Sequence, residues 1–115
     1  MRAFRGYLVV VILALATYTV LVGLREGWNL LPIFFGDIAA MTWPGQFNAD
    51  FLGFLTLSGL WLAWRHRFSP GGLALGVLGV FGGMMVLAPY LIYASLEARG
   101  NVGVLLLGPT RATGA

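Results

Sequence analysis

The sequence predicts an all-α membrane protein with three transmembrane helices and a short interfacial or re-entrant helix between the first and the second. Three apolar runs carry that expectation: Phe4–Leu24, Phe47–Trp64 and Gly72–Ser95. Each is close to the length that crosses a hydrocarbon core of roughly 30 Å. Composition agrees. Of the 115 residues, 59% are hydrophobic and only 10% are charged, where a soluble domain carries about a quarter charged residues. That much apolar surface must face something other than water, and lipid is the simplest solvent for it.

The length allows one small domain, residues 1–100, followed by a tail, 101–115, and leaves no room for a separate soluble catalytic domain. With no cysteine, disulfides, thiol catalysis and thiolate metal sites are excluded. The net charge of +3 comes from seven arginines against four acids, with no lysine. The arginines lie singly or in pairs near the ends of the apolar runs. Nucleic-acid binding would need them clustered on one face. Their placement suits topology and interface anchoring instead.

The first span covers about residues 4–24. Arg2 and Arg5 resemble the basic start of a signal peptide, and Ala14-Leu15-Ala16 a cleavage site. The apolar stretch continues through Leu24, however, well beyond the usual 7–15 residues of a signal core. An uncleaved spanning helix is expected. Pro32 suits the first turn of a helix over about 31–41. That helix is expected in the headgroup zone, with a re-entrant segment packed on the bundle as the alternative. Trp28, Phe34, Phe35, Trp43 and Phe47 would form an aromatic belt beside it.

Trp43-Pro44-Gly45-Gln46 reads as a turn before the second span, about 47–64, with Asn48 as its N-cap and Asp50 in its first turn. Ser69-Pro70-Gly71-Gly72 is a tight connection, so the second and third spans are expected to be antiparallel neighbours. Pro89 is expected to kink the third span, 72–95. The end of the tail is expected to be disordered, with Val102–Leu107 near the interface.

The grouped Arg65-His66-Arg67 points to the cytoplasmic side. The N-terminus is then cytoplasmic and the C-terminus outside, in a multi-pass protein of the inner membrane. Arg25, Arg99 and Arg111 would lie outside with Glu26, Asp37, Asp50 and Glu97.

Gly72, Gly76, Gly79 and Gly83 recur at i, i+4, i+7 and i+11 and line one helix face. Such small-xxx-small patterns let backbones approach closely in lipid. Gly59 and Ala63 repeat the spacing in the second span. A packing seam is expected, its partner being another span or a second copy. Asp50 is the leading functional candidate. With antiparallel spans it would lie near Tyr90 and Tyr93, with Glu97 and Arg99 just above and Asn48 beside it, forming a polar cluster at the outer ends of the helices. Ionisable groups at membrane depth are costly and often functional. The plainer alternative makes Asp50 a helix-start residue paired with Arg25 or Arg99. His66, lacking a second ligand at metal spacing, reads as a solvated loop residue. Neither a phosphate-binding loop nor a nucleophile elbow occurs, so no catalytic residue, metal or cofactor is expected.

Several segments carry a resemblance: Asn48-Ala49-Asp50-Phe51, Leu60-Trp61 with Arg65, Gly82-Gly83, Pro89-Tyr90-Leu91 and Leu105-Leu106-Leu107-Gly108. Through them Trp43–Gly108 resembles small bacterial multi-span membrane proteins of an uncharacterised family. The resemblance implies no activity, but it draws attention to Asp50, Arg65 and Tyr90. The expected function is that of a structural or accessory subunit. It would associate through its glycine faces in a homo-oligomer or a larger membrane complex, with the lipid bilayer as its surroundings. The alternatives are a membrane-embedded enzyme or lipid-binding protein using the polar cluster, and a small oligomeric transporter. No mid-span charge supports the last.

Overall fold

The computed structural model describes residues 1–114, and every regular element among them is a helix. The elements are α1 (Arg2–Glu26), α2 (Leu30–Ala40), α3 (Trp43–Arg65), α4 (Pro70–Gly82), α5 (Met84–Ala98), α6 (Val102–Leu107) and α7 (Pro109–Gly114). Ala115 lies outside the described residues.

Among the described residues α1 is the one helix long and apolar enough to cross a membrane. Its 25 residues extend about 38 Å. It ends where Gly27 takes φ +86°, its N–H bonding the Gly23 carbonyl at 2.9 Å. The indole of Trp28 folds onto Gly23, where any side chain would collide with it.

Helix α2 buries none of its residues, yet it does not stand apart. It packs antiparallel to the first turns of α3. Gly45 meets the Asp37 carbonyl and the Ile38 backbone, which leave no space for a Cβ. Asn48 Nδ2 donates to the Phe34 carbonyl at 3.2 Å and to Asp37 Oδ2 at 3.5 Å. The structure therefore pairs α2 with α3.

The start of α3 differs from expectation. Trp43-Pro44-Gly45-Gln46 is helical, because Pro44 occupies the first turn, where its missing N–H has no intrahelical role. Asn48 is thus not an N-cap, and Asp50 sits two turns into the helix rather than in its first turn.

Arg67 and Phe68 take left-handed backbone angles, φ 56° and 54°, and turn the chain into α4. Ser69 caps α4, its Oγ accepting from Gly72 N at 3.1 Å. Along this seam Gly59 and Gly76 face each other. A Cβ on either would lie 2.7 Å from the carbonyl oxygen of the other. Ala63 lies over Gly76, Leu62 over Gly79, and Gly72 against the base of His66. The glycine face of α4 meets α3 of the same chain.

The expected third span, 72–95, is two helices. The break falls at Gly83, with φ +57° and ψ −135°, while Pro89 stays inside α5. Two adjacent glycines, Gly82 and Gly83, give the helix its weakest point, and only glycine adopts Gly83's angles without strain. The chain reverses there. Gly83 abuts Phe51 and Leu55 of α3, whereas Tyr90 and Glu97, farther along α5, reach Arg65 at the opposite end of α3. Helix α5 therefore runs back beside α1. Met1 and Phe4 pack against Ala94, Ala98 and Leu105, and Leu8 is fully buried. This brings the amino terminus and the α6–α7 tail to one end. The tail is helical through Gly114, not disordered, since α6 and α7 have α5 and the end of α3 to pack on.

Seam and surface glycines respond oppositely to a methyl group. Gly76→Ala drives a Cβ into the fixed Gly59 carbonyl and lowers stability by about 1–3 kcal/mol. Gly53→Ala, in mid-helix with open space around it, raises stability by up to about 1 kcal/mol. Thermal unfolding in mild detergent measures both.

Candidate functional site

Arg65 ends α3, and its side chain turns inward, 3% exposed. Nε donates to the Leu105 carbonyl at 3.0 Å, Nη2 to the Val104 carbonyl at 3.2 Å, and Nη1 to Tyr90 Oη at 2.7 Å. Nη2 also reaches Glu97 Oε1 at 3.4 Å. Trp61, one turn earlier on the same face, donates from Nε1 to the Leu106 carbonyl at 3.0 Å. The carbonyls of Val104, Leu105 and Leu106 lie in the last turn of α6, where the dipole favours a cation; that of Val104 also accepts from Gly108 N at 2.9 Å. One guanidinium thereby joins α3, α5 and α6.

Tyr90 sits at the centre of an aromatic group. The Trp61 ring stands edge-on to it at 6.1 Å, His66 edge-on at 5.8 Å, and Tyr93 at 6.4 Å. His66 Nε2 lies 2.6 Å from Tyr90 Oη. Arg65 already donates to that oxygen, so the phenol's own hydrogen is available to a neutral imidazole. Tyr93 Oη donates to Glu97 Oε2 at 3.2 Å. At the rim, the Arg111 guanidinium lies 4.2 Å over the Trp64 ring, and Arg67 Nε donates to Thr110 Oγ1 at 3.2 Å. Chemically, this node can hold a hydrogen-bond chain from Glu97 through Arg65 and Tyr90 to His66.

The expected cluster of Asn48, Asp50, Tyr90, Tyr93, Glu97 and Arg99 is divided. The reversal at Gly83 carries Tyr90, Tyr93 and Glu97 to the Arg65 end. Asn48 stays with Asp37 at the other end. Asp50 is exposed on α3, with no hydrogen-bond or ion-pair partner among the described residues. Arg99 is exposed at the C-cap of α5, with φ 51°. Sequence reasoning left Arg65 out of the polar cluster, reading it as a topology marker to which the resemblance drew attention, and read His66 as a solvated loop residue. The i, i+4 spacing of Trp61 and Arg65 was the available signal. It puts an indole donor and a guanidinium on one helix face, suited to a row of helix-end carbonyls. Among the described residues no group of His, Asp and Glu is arranged to hold a metal ion.

Comparison with known proteins adds no relative: no family model, curated protein or solved structure matches the chain.

Removing the guanidinium takes a donor from the Val104 and Leu105 carbonyls and leaves the hydroxyl of Tyr90 with His66 alone. Arg65→Ala is expected to destabilise the protein by about 3 kcal/mol or more and to expose the α6–α7 tail to limited proteolysis. Glu97 is 32% exposed, so Glu97→Gln costs less than about 1 kcal/mol in the same assays.

Proposed function

We propose that the chain is a multi-pass integral membrane protein in which α1 crosses the bilayer and α3, less apolar than a span that stands alone, crosses with its glycine face covered by α4. Helices α4 and α5 form a hairpin that enters and leaves by one face, so both termini are cytoplasmic. The observation that carries this reading is the distribution of charge. With the chain reversed at Gly83, Arg2, Arg5, Arg65, Arg67, Arg99 and Arg111 gather at one end, while Arg25 shares the other with Glu26, Asp37 and Asp50. Arginine bias between the two faces sets orientation. Six against one is a far stronger bias than the four against three of an uninterrupted third span.

Helix lengths support the hairpin. The 13 and 15 residues of α4 and α5 extend about 20 and 22 Å, short of a roughly 30 Å core. Large apolar side chains stay exposed around the whole molecule, among them Leu13, Leu24, Trp43, Phe54 and Phe81, as a lipid-facing surface requires. The burial of Leu8 and the packing of Met1 and Phe4 support a retained α1, since signal cleavage would strip that core.

Within this frame the chain acts as a structural or accessory subunit rather than an enzyme. What supports this is that Arg65 directs its donors at acceptors of its own chain. Gly59, Ala63, Gly72, Gly76 and Gly79 are occupied by one another, so association with a companion uses the lipid-facing surface rather than the glycines.

Lacking cysteine, the chain suits single-cysteine labelling with a membrane-impermeant maleimide in intact cells. Thr42→Cys is expected to react from outside, and Ala3→Cys and Ala112→Cys only after the membrane is opened. Reaction of Ala112→Cys from outside overturns the hairpin. Extracted in mild detergent, the wild-type protein is expected to co-elute with at least one further polypeptide, and elution as a solitary chain overturns the accessory role.

A further inference from the structure

Asp50 is left without a role by the node at Arg65, and its surroundings are specific. It lies seven residues beyond Trp43, about 10 Å along α3, and the early start of that helix removes its reading as a first-turn acid. Phe47, Asp50, Phe51 and Phe54 follow at i, i+3, i+4 and i+7 and line an open groove of about 350 Å³. Phe47, Phe51 and Phe54 are themselves exposed. Phe51 is braced from behind by the Gly83 turn, where a Cβ would come within 3.3 Å of its Cζ. Asn48 donates to Asp37 and to the Phe34 carbonyl on the α2 side of the helix. Among the described residues no cation answers the Asp50 carboxylate.

We infer that Asp50 and the rings of Phe47, Phe51 and Phe54 form a binding site for a lipophilic organic cation of the quaternary ammonium or phosphonium class. A carboxylate facing hydrocarbon is strongly disfavoured unless a positive charge meets it. Phenyl faces attract cations, and apolar substituents on the cation would replace lipid against the same rings. An inorganic cation would leave the three rings without a purpose, and a neutral apolar ligand would leave the carboxylate unanswered. The inference rests on the membrane reading, since in water Asp50 would need no counter-charge.

The test uses the full chain in phosphatidylcholine vesicles and measures binding of radiolabelled tetraphenylphosphonium by equilibrium dialysis. Saturable binding is expected, weakened at least about tenfold by Asp50→Asn and unchanged by Asp37→Asn. Tetraphenylborate, of the same shape and opposite charge, is expected not to compete. Phe54→Leu, at an exposed position, is expected to weaken binding several-fold with Asp50 intact, which keeps the test valid if Asp50→Asn fails to fold. Equal binding by wild type and Asp50→Asn overturns the site. So does no saturable binding by wild type. Alkaline carbonate extraction separates the two readings. Release of the chain from its vesicles defeats the membrane reading, whereas a retained chain whose cation binding ignores Asp50 defeats this site alone.

Discussion

The buried guanidinium of Arg65 is the point at which the separate parts of this molecule become one. Helices α3 and α4 hold together through their glycines, and α2 leans on α3 through Asn48 and Gly45. Neither contact says where α5, α6 and α7 should go. Arg65 does, by collecting the Tyr90 hydroxyl from α5 and two main-chain carbonyls from α6. A charge withdrawn from solvent is tolerated only where its donors are matched, so the arrangement is self-consistent: the charge requires the helices around it, and they are oriented by it. The Glu97 carboxylate adds less, being partly solvated and 3.4 Å away.

The reversal at Gly83 is what makes that arrangement reachable. An uninterrupted helix from Pro70 onward would carry Tyr90 about 30 Å along α3, to the Asp50 end and away from Arg65. Breaking it at two adjacent glycines returns α5 to the Arg65 end and gives α1 a neighbour along its inner half. The same break divides the ionisable side chains into a node at the Arg65 end, rich in hydrogen bonds, and the Asp50 carboxylate on an aromatic face toward the other end. The two regions differ in kind. At the node, polar groups satisfy one another within the chain. At Asp50, the groups around the charge are rings that offer faces but no hydrogen bonds.

Much of the helical framework was legible from periodicity and composition. The first apolar run, 4–24, corresponds to α1, and the segment 31–41 to α2, within a residue or two. The start of α3 was obscured because Pro-Gly is a turn signal inside a chain but a good first turn of a helix, and only the surroundings choose between them. Glycine posed the harder problem. Gly72, Gly76, Gly79 and Gly83 share one spacing, yet the first three allow close approach while the last ends the helix, because Gly82 precedes it. A missing side chain serves packing and unwinding equally, and spacing does not distinguish them. The meeting of Arg65 with Tyr90 and the α6 carbonyls depends on the direction taken after Gly83, which no local pattern encodes.

The position of the α6 acceptors has a bearing on biosynthesis. Arg65 precedes Leu105, whose carbonyl it binds, by 40 residues. It therefore leaves the ribosome before the segment that receives it, and its charge meets the α6 dipoles only after those residues have followed. During that interval the guanidinium must be met by water or other polar groups at the end of α3. The α6 segment is thus what closes the fold around Arg65.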